Sequence, residues 1–379
     1  MELVNLSRTY GEFYAPAFAV RIGRDDLMRD LYVAVSQVEV DLQLGGASRF
    51  SFTLTDCYSQ KAHAFRTGRG DDLLELLDFG AAVEICMGYG DAASTPTAVT
   101  GMITEIGTSF PETGTPELTV SGYDHGFPLT LGKSSECWKD RTDSEVVQHI
   151  AGFHNLSTVI EPTQERFPQI EQNQQSDWDF LKKLADRNSD AQKNHFELYL
   201  EAAGPQKRPT LHFAPPRVKS TPVVKLVWGE GLLSFKPQAN LAGQVARVEI
   251  YGWDVKRKQP IIGRASADDG AGARSKSVGQ YLNSFIRSPE KQPTLRLRQP
   301  VFTQAEADKR ARAALSEKTR EFLTGEAEAI GLPELRPDRT VQIENLGPAF
   351  SRTYYIEQAT HRIDTSGYRT RFKLRETKL

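Results

Sequence analysis

The sequence predicts a mainly β protein with α+β insertions, in which two similar antiparallel β-barrel domains accompany a small α/β domain and a helical insertion. Three observations predict this fold class. Apolar and polar residues alternate with period two towards both ends of the chain, the period becomes helical in the middle, and two sets of strands share one order of parts. At 379 residues the chain is long enough for two or three hydrophobic cores.

The first set of strands lies between residues 12 and 124. Its clearest pair consists of alternating apolar residues on either side of Gly45 and Gly46, namely Val38, Val40, Leu42 and Leu44 before the glycines and Phe50, Phe52 and Leu54 after them. This pattern predicts an antiparallel hairpin with one buried face. Residues 71–79 read as a short helix or turn, which would bridge the end of a barrel.

The order of parts in the first set recurs after residue 230. Each copy has a strand, a Gly-containing turn, a strand ending in Asp, a gap, a V-x-I strand and a hairpin closing on Gly-Tyr; the first copy covers 33–56, 81–91 and 100–124, and the second covers 232–254, 338–347 and 352–374. Chance similarity between β-strands is the alternative to duplication. A duplicated module would give one chain two similar surfaces for a repeating partner.

Between the two sets, the pattern is typical of a small α/β unit. Thr142 and Glu145 have the spacing of a capping box, so a helix is expected from Asp143 to about residue 155. A second helix begins near Ser176, and apolar residues at 196–200 and 211–213 form a strand pair. The expected domains are residues 1–130 for the first barrel, 131–220 for the α/β unit, 221–263 with 335–379 for the second barrel, and 264–334 for the insertion.

The insertion is expected to contain a loop and a helix. Residues 264–294 are small, polar and rich in Gly and Ser, which favours a flexible loop. A helix rich in Ala and charged residues follows, beginning at Thr303 and ending at Gly325.

Composition excludes several classes of partner. With 47 basic and 49 acidic residues the net charge is −2, which gives no general attraction to nucleic acid. The sequence begins without a secretion signal and has no run of about 18 apolar residues, so we expect synthesis in the cytoplasm and no stable membrane insertion. Cys57, Cys86 and Cys137 are widely spaced and are expected to be reduced.

No catalytic, cofactor-binding or metal-binding residue is predicted. The seven histidines are scattered and form no known catalytic or phosphate-binding motif. Asp124 and His125 could form a general-base pair, but adjacent residues of a strand point to opposite faces, so a turn or hydrogen-bonding role is expected. Glu165 and Glu171 could be the paired carboxylates of a glycosidase, although a solvated loop is the simpler interpretation.

Other residues are expected to have structural roles. His361 would be a hydrogen-bonded histidine within a strand, and Trp178 would belong to the core of its helix. Arg296 and Arg298 alternate with leucines, so they would lie on a polar strand face or on a contact surface. Trp228 and Trp253 would be exposed aromatic residues in a carbohydrate-binding alternative.

Several motifs resemble those of the phage late control D family, the hub proteins of contractile phage tails and related injection machines, which are similar to the N-terminal part of the type VI secretion protein VgrG. The motifs are the stretch Ser176-Asp-Trp-Asp-Phe-Leu-Lys-Lys-Leu-Ala185, the helix 303–315, Phe322-Leu-Thr-Gly325, Ile330-Gly-Leu-Pro333, Tyr354-Tyr-Ile356, His361-Arg-Ile363 and Gly367-Tyr368. The resemblance extends over nearly the whole chain.

The resemblance implies a structural role without catalysis. Three subunits would form a ring with two barrels each, presenting six barrels to a hexameric tail tube and threefold symmetry to a trimeric spike. The sequence ends at Leu379, so the spike is expected to be a separate protein, and other baseplate proteins are expected partners in a phage tail or related particle. The edge strands 33–44 and 352–361 are expected to pair across subunits. The alternatives are a tail-associated cell-wall hydrolase and a carbohydrate-binding β protein.

Overall fold

A computed structural model describes residues 1–379 except 191–193, 203, 205–206, 255–256, 268–275, 287 and 289–290. The predicted fold class is confirmed, because a 13-stranded sheet dominates the structure and six of its strands close into a barrel. The smaller sheets and the helices pack around this sheet. Among the described residues, four clusters of buried apolar side chains form the cores.

The N-terminal part of the chain contains nine strands and three α-helices. They are α1 (Leu3–Thr9), β1 (Pro16–Ile22), β2 (Asp25–Asp26), β3 (Ala34–Gln43), β4 (Arg49–Thr55), β5 (Tyr58–Ser59), β6 (Ala64–Phe65), α2 (Leu73–Leu76), β7 (Ala82–Tyr89), β8 (Thr97–Ser109), β9 (Glu117–Asp124) and α3 (Phe127–Thr130). The predicted hairpin is confirmed as β3 and β4, and the predicted short helix is α2. Six strands follow each other in the order β1-β7-β8-β9-β4-β3, which we call the first module.

The middle of the chain forms the expected α/β unit. Its elements are β10 (Ser134–Thr142), α4 (Asp143–Phe153), β11 (Ser157–Ile160), β12 (Arg166–Gln175), α5 (Asp177–Asp186), β13 (Glu197–Glu201) and β14 (Thr210–Ala214). The capping box is confirmed: Thr142 Oγ1 accepts from the Glu145 backbone N–H, and the Glu145 carboxylate accepts from the Thr142 backbone N–H. Trp178, Leu181 and Leu184 bury one stripe of α5 against α4 and the neighbouring strands.

The C-terminal part contains the closed barrel and an insertion. Its elements are β15 (Val224–Trp228), β16 (Gly231–Ala239), β17 (Arg247–Asp254), β18 (Gln259–Ser266), α6 (Val278–Phe285), β19 (Thr294–Arg298), α7 (Gln304–Arg320), β20 (Leu323–Ile330), β21 (Thr340–Glu344), α8 (Gly347–Phe350), β22 (Arg352–Asp364) and β23 (Gly367–Glu376). Strands β22-β21-β15-β16-β20-β23 form the second module, which closes because β22 and β23 also pair.

Two predictions about the insertion are wrong. The stretch 264–294 is not entirely a loop, because it contains the end of β18 and the helix α6, which begins with a capping box at Ser277; residues 268–275 lie outside the described residues. The helix expected to end at Gly325 ends at Arg320. Gly325 lies in β20, where a Cβ atom would come within 2.5 Å of the Phe235 ring, so its function is close packing.

The assignment of the second repeated strand is also wrong. The sequence pairs β16 with the segment that becomes β17, but β17 pairs with β18 and β19 in a separate sheet covered by α7. The antiparallel neighbour of β16 is β20, which follows the whole insertion. An alternating pattern identifies a strand but carries no information about its partner, which explains the error.

Candidate assembly interface

The two modules repeat the same strand order. Five strands of the first module, in the order β3-β4-β9-β8-β7, correspond to β16-β20-β23-β22-β21 in the second, and every neighbouring pair in both series is antiparallel. The sixth strands differ, because β1 is antiparallel to β7 whereas β15 is parallel to β21. In the structure, the insertion is the segment between β16 and β20, which contains β17, β18, α6, β19 and α7. It interrupts the second module between the counterparts of β3 and β4.

Irregularities of register recur at corresponding places in the two modules. The β3–β4 ladder shifts between Val35 and Gln37, and the β16–β20 ladder shifts between Leu232 and Ser234. In the same way, the β8–β9 ladder shifts at 103–105 and the β22–β23 ladder shifts at 356–358. A bulge places one extra residue at a defined position of a strand. Matching the bulges of the two modules therefore aligns their residues one by one.

The modules join through strands β3 and β22. These strands pair antiparallel over six residues each, from Val38 opposite Ile363 to Gln43 opposite Gln358. Side chains reinforce the joint: the Gln358 amide and the Thr360 hydroxyl both donate to the Asp41 carboxylate, at 2.8 and 2.9 Å.

The pairing of β3 with β22 contradicts the expectation that these two strands pair across subunits. The strands expected to pair across subunits, 33–44 and 352–361, pair with each other inside one chain. The sequence identified both strands as edges of their modules, but which edges meet is a property of the tertiary structure.

In the other module, β8 corresponds to β22 and β16 corresponds to β3, and both β8 and β16 have unpaired edges. Strand β22 pairs with β21 through its first half and with β3 through its second half. Its counterpart β8 pairs with β7 up to Met102, but residues 105–109 pair only with β9 among the described residues. Likewise β16 pairs with β15 only at its first two residues, and 234–239 pair with β20 alone in the part of the chain described.

Apolar side chains lie along these unpaired edges. Phe110, immediately after β8, is 59% exposed although it contacts the rings of Tyr58 and Phe65. Leu233 in β16 is 47% exposed. By contrast, Val38 and Ile363 are 0% and 5% exposed in the joint between the modules. An unpaired edge with exposed apolar residues is a typical site of strand addition.

The carboxylate of Asp124 is held in a turn by backbone groups. Asp124 is buried at the end of β9, where its carboxylate accepts from the backbone N–H groups of Ser48 and Gly126 at 2.9 and 2.8 Å. Burial raises the pKa of Asp124 to about 6 in spite of these donors, and burial lowers the pKa of His125. Both carboxylate oxygens of Asp124 are engaged in holding the turn, as the sequence indicated.

Glu165 and Glu171 lie in different surroundings and have different hydrogen-bond partners. The Glu165 carboxylate accepts from the Thr303 hydroxyl at 3.3 Å, next to α7, and burial raises its pKa. Glu171 lies in β12 opposite Cys137 and accepts from the Gln169 side chain. The loop interpretation is therefore wrong for Glu171. No cluster of three His, Cys, Asp or Glu that could hold a metal occurs among the described residues.

The structural interpretations of His361 and Trp178 agree with their surroundings. His361 is 2% exposed, its Nε2–H donates to the Leu335 carbonyl at 3.0 Å, and Nδ1 lies 2.9 Å from the Tyr368 hydroxyl. Burial lowers the pKa of His361 to about 3, so the ring is neutral. Trp178 is buried and donates through Nε1 to the carbonyl of Gly45, which attaches the α/β unit to the β3–β4 turn.

The remaining candidates lie on the surface. Arg296 and Arg298 are exposed in β19, and Arg296 forms an ion pair with Glu249 at 3.2 Å. Trp228 and Trp253 are 57% and 55% exposed and lie in different sheets.

Sequence reasoning missed a buried carboxylate that connects three parts of the chain. Asp338, 3% exposed, accepts from the hydroxyls of Tyr199 at 2.8 Å and Tyr355 at 2.9 Å and from the Arg217 backbone N–H at 2.8 Å. These partners lie in the α/β unit, in β22 and in the connection before β15. The only signal in the sequence was an Asp before a V-x-I strand, which is also typical of an ordinary turn.

Comparison with protein families assigns the chain to a family. The family described as the Alg8 N-terminal domain has a model that matches residues 28–365, so the chain belongs to that family. No curated protein matches the sequence.

Solved structures share the fold. A 43 kDa tail protein of prophage MuSo2 from Shewanella oneidensis is 13% identical with a TM-score of 0.67, over 96% of this chain and 99% of that one. A tail protein from Neisseria meningitidis is 14% identical with a TM-score of 0.68, over 96% and 97%. A type VI secretion component of E. coli is 12% identical with a TM-score of 0.55, over 94% and 76%. The chain therefore has the fold of phage tail and type VI secretion proteins. No helix in the described parts has the length and apolarity needed to cross a membrane.

Proposed function

We propose that this protein is a structural baseplate hub of a contractile injection machine, in which three copies form a ring that adapts a sixfold tail tube to a threefold spike. The observation that carries the proposal is the repeat of five strands in matching register within one chain. Three chains with two modules each would present six similar modules to a hexameric tube, while the insertion and the α/β unit would keep threefold symmetry.

The shared fold supports a role in a tail or baseplate. The solved structures of similar fold are tail proteins and a type VI secretion component, and the motifs in 176–185 and 303–368 resemble late control D proteins. On this proposal the partners are the inner tube protein, a separate trimeric spike and other baseplate proteins. The protein would be made in the bacterial cytoplasm and would become part of the phage tail or injection particle.

The proposed role requires contact surfaces and no catalysis. The carboxylates considered for hydrolysis are held by structural hydrogen bonds, at Asp124 by two backbone donors and at Glu165 by Thr303. We expect that Asp124→Ala, His125→Ala, Glu165→Ala and Glu171→Ala leave the release of peptidoglycan fragments at the background of the wild-type protein. A large activity in the wild type that any of these folded variants abolishes would establish the hydrolase instead.

Electron microscopy and mass measurement test the ring. We expect the full-length protein to form particles with a threefold axis and the mass of three chains as its concentration rises. A protein that remains monomeric at all concentrations, or that closes into a ring with another number of subunits, would overturn the proposal.

A further inference from the structure

We propose that neighbouring subunits of the ring are joined by β8 of one copy and β16 of the next, in the register that β22 and β3 adopt within each chain. The inference rests on the proposed ring. It specifies the partner as a second copy of this chain and the contact as an antiparallel strand pair. Every module would then be connected to the next by the same kind of joint.

The internal repeat fixes the register of this contact. The bulges place Gln37 in correspondence with Ser234 and Gln358 in correspondence with Glu105. Counting from these positions, the pair of Glu39 and Arg362 within the chain becomes Lys236 opposite Ser109 of the neighbouring copy.

The same correspondence gives the other residue pairs of the proposed joint. Val40 opposite His361 becomes Pro237 opposite Thr108. At the end of the ladder, Val38 opposite Ile363 becomes Phe235 opposite Phe110.

The exposure of these residues agrees with the contact. Val38 and Ile363, which are opposite each other in the joint within the chain, are buried members of one hydrophobic core, whereas their counterparts Phe235 and Phe110 are half-buried and 59% exposed. A neighbouring β16 would place an apolar ring against Phe110, which already packs on an aromatic cluster. A cross-strand pair of aromatic side chains that is removed from water would stabilise this joint.

The hydrogen-bonding pattern distinguishes the two joints. Leu44 N donates to the Glu357 carbonyl, so by alternation the N–H of Val40 also faces β22. Its counterpart Pro237 has no N–H, so the joint between subunits has one hydrogen bond fewer than the joint within the chain. Lys236 and Ser109 form a non-hydrogen-bonded pair, in which Cα atoms lie about 4.5 Å apart.

Disulfide cross-linking tests the register. In a Cys137→Ser background, which removes the exposed cysteine, the pair Lys236→Cys and Ser109→Cys should form a disulfide between subunits on oxidation, because its geometry suits the bond. We expect a ladder of one, two and three linked chains in a denaturing gel, with no larger species. The counterpart pair Glu39→Cys and Arg362→Cys is the matched control and should link within one chain.

A second pair controls for accidental proximity. Lys236→Cys with Thr108→Cys places the cysteines on opposite faces of the expected ladder and should remain at least tenfold less linked. If a threefold ring forms but the pair at 236 and 109 does not link while the pair at 39 and 362 does, the register is wrong and the ring stands. If no ring forms at any concentration, the proposed function itself fails.

Discussion

Single buried polar residues hold the separate parts of this chain in one arrangement. The carboxylate of Asp338 accepts hydrogen bonds from two tyrosines and one backbone N–H that come from distant segments. Since one carboxylate serves all three donors, its loss would leave several buried donors without an acceptor.

Substitution of Asp338 therefore tests this connection. We expect Asp338→Ala to lower the free energy of unfolding by about 3 kcal/mol, since it leaves buried donors without an acceptor. Urea unfolding measures the change. The control Asp78→Ala removes an exposed carboxylate that accepts from the N–H of the next residue, Phe79, and should change stability by less than about 0.5 kcal/mol. Equal effects would contradict the assigned role.

Asp124 makes a pH-dependent contribution. Its pKa of about 6 in the folded protein exceeds the ordinary aspartate value of 3.8, mainly because of burial, so the folded state binds the proton more tightly. This contribution to stability is complete below about pH 4 and is lost as the pH rises through 6. We expect the unfolding free energy of the wild type, relative to Asp124→Asn, to fall by about 3 kcal/mol between pH 4 and pH 7. A difference that does not vary with pH would contradict the raised pKa.

At the scale of elements, equivalent strands of the two modules differ in whether their edges are paired. Strand β22 is covered by β3, while its counterpart β8 leaves 105–109 uncovered among the described residues. Two strands with the same place in the repeat thus differ in whether the described residues of the chain supply a neighbour along this edge.

Phe110 provides the corresponding test. We expect Phe110→Asp to prevent assembly of the ring, because it places a charge against the apolar Phe235 in the proposed joint, while the isolated chain remains folded. Mass measurement and circular dichroism report the two properties. The control Phe153→Asp changes a phenylalanine that is 84% exposed on α4 of the α/β unit and should leave the ring intact. Loss of assembly in both variants would indicate a nonspecific effect.

At the scale of the whole molecule, a buried ion pair connects the α/β unit to the second module. Arg375 of β23 lies 2.5 Å from Glu197 of β13, and both side chains are less than 10% exposed. Burial alone would raise the pKa of Glu197, but Arg375 and His195 lower it to about 2. The guanidinium also lies over the Tyr355 ring, at 4.6 Å from the ring centre.

A double-mutant comparison measures this connection. We expect Arg375→Met to lower the free energy of unfolding by about 4 kcal/mol, because it removes the nearest cation from the buried Glu197 carboxylate and leaves the more distant His195 and Arg320 beside it. The double variant with Glu197→Gln should lose clearly less, since it removes the buried charge that Arg375 balances. Urea unfolding decides between these outcomes. A double variant as unstable as the sum of the two single variants would show that the ion pair has no coupling.

Local patterns predicted much of the fold. The alternation of Val38 to Leu54 identified a hairpin with one buried face, and the capping residues Thr142 and Ser176 identified the starts of two helices. These patterns depend only on residues that are close in the sequence, so they can be recognised without the tertiary structure. For the same reason the V-x-I strands at 83–85 and 341–343 were correctly recognised as counterparts.

Patterns alone could not identify which distant segments meet. The counterpart of β4 is β20, which lies beyond an insertion of about eighty residues, and the Gly-Tyr sequences at 122–123 and 367–368 do not correspond in register. Asp338 was likewise indistinguishable from an ordinary turn residue until its tyrosine partners were brought to it.

The sequence by itself determined the strands, the helix starts and the presence of a repeated order of parts, because these follow from side-chain periodicity and capping over a few residues. Only the tertiary structure decided that β3 meets β22 while β8 and β16 keep unpaired edges among the described residues. The physical reason is that every strand carries the same backbone hydrogen-bonding groups, so its partner is selected by the packing of the whole molecule.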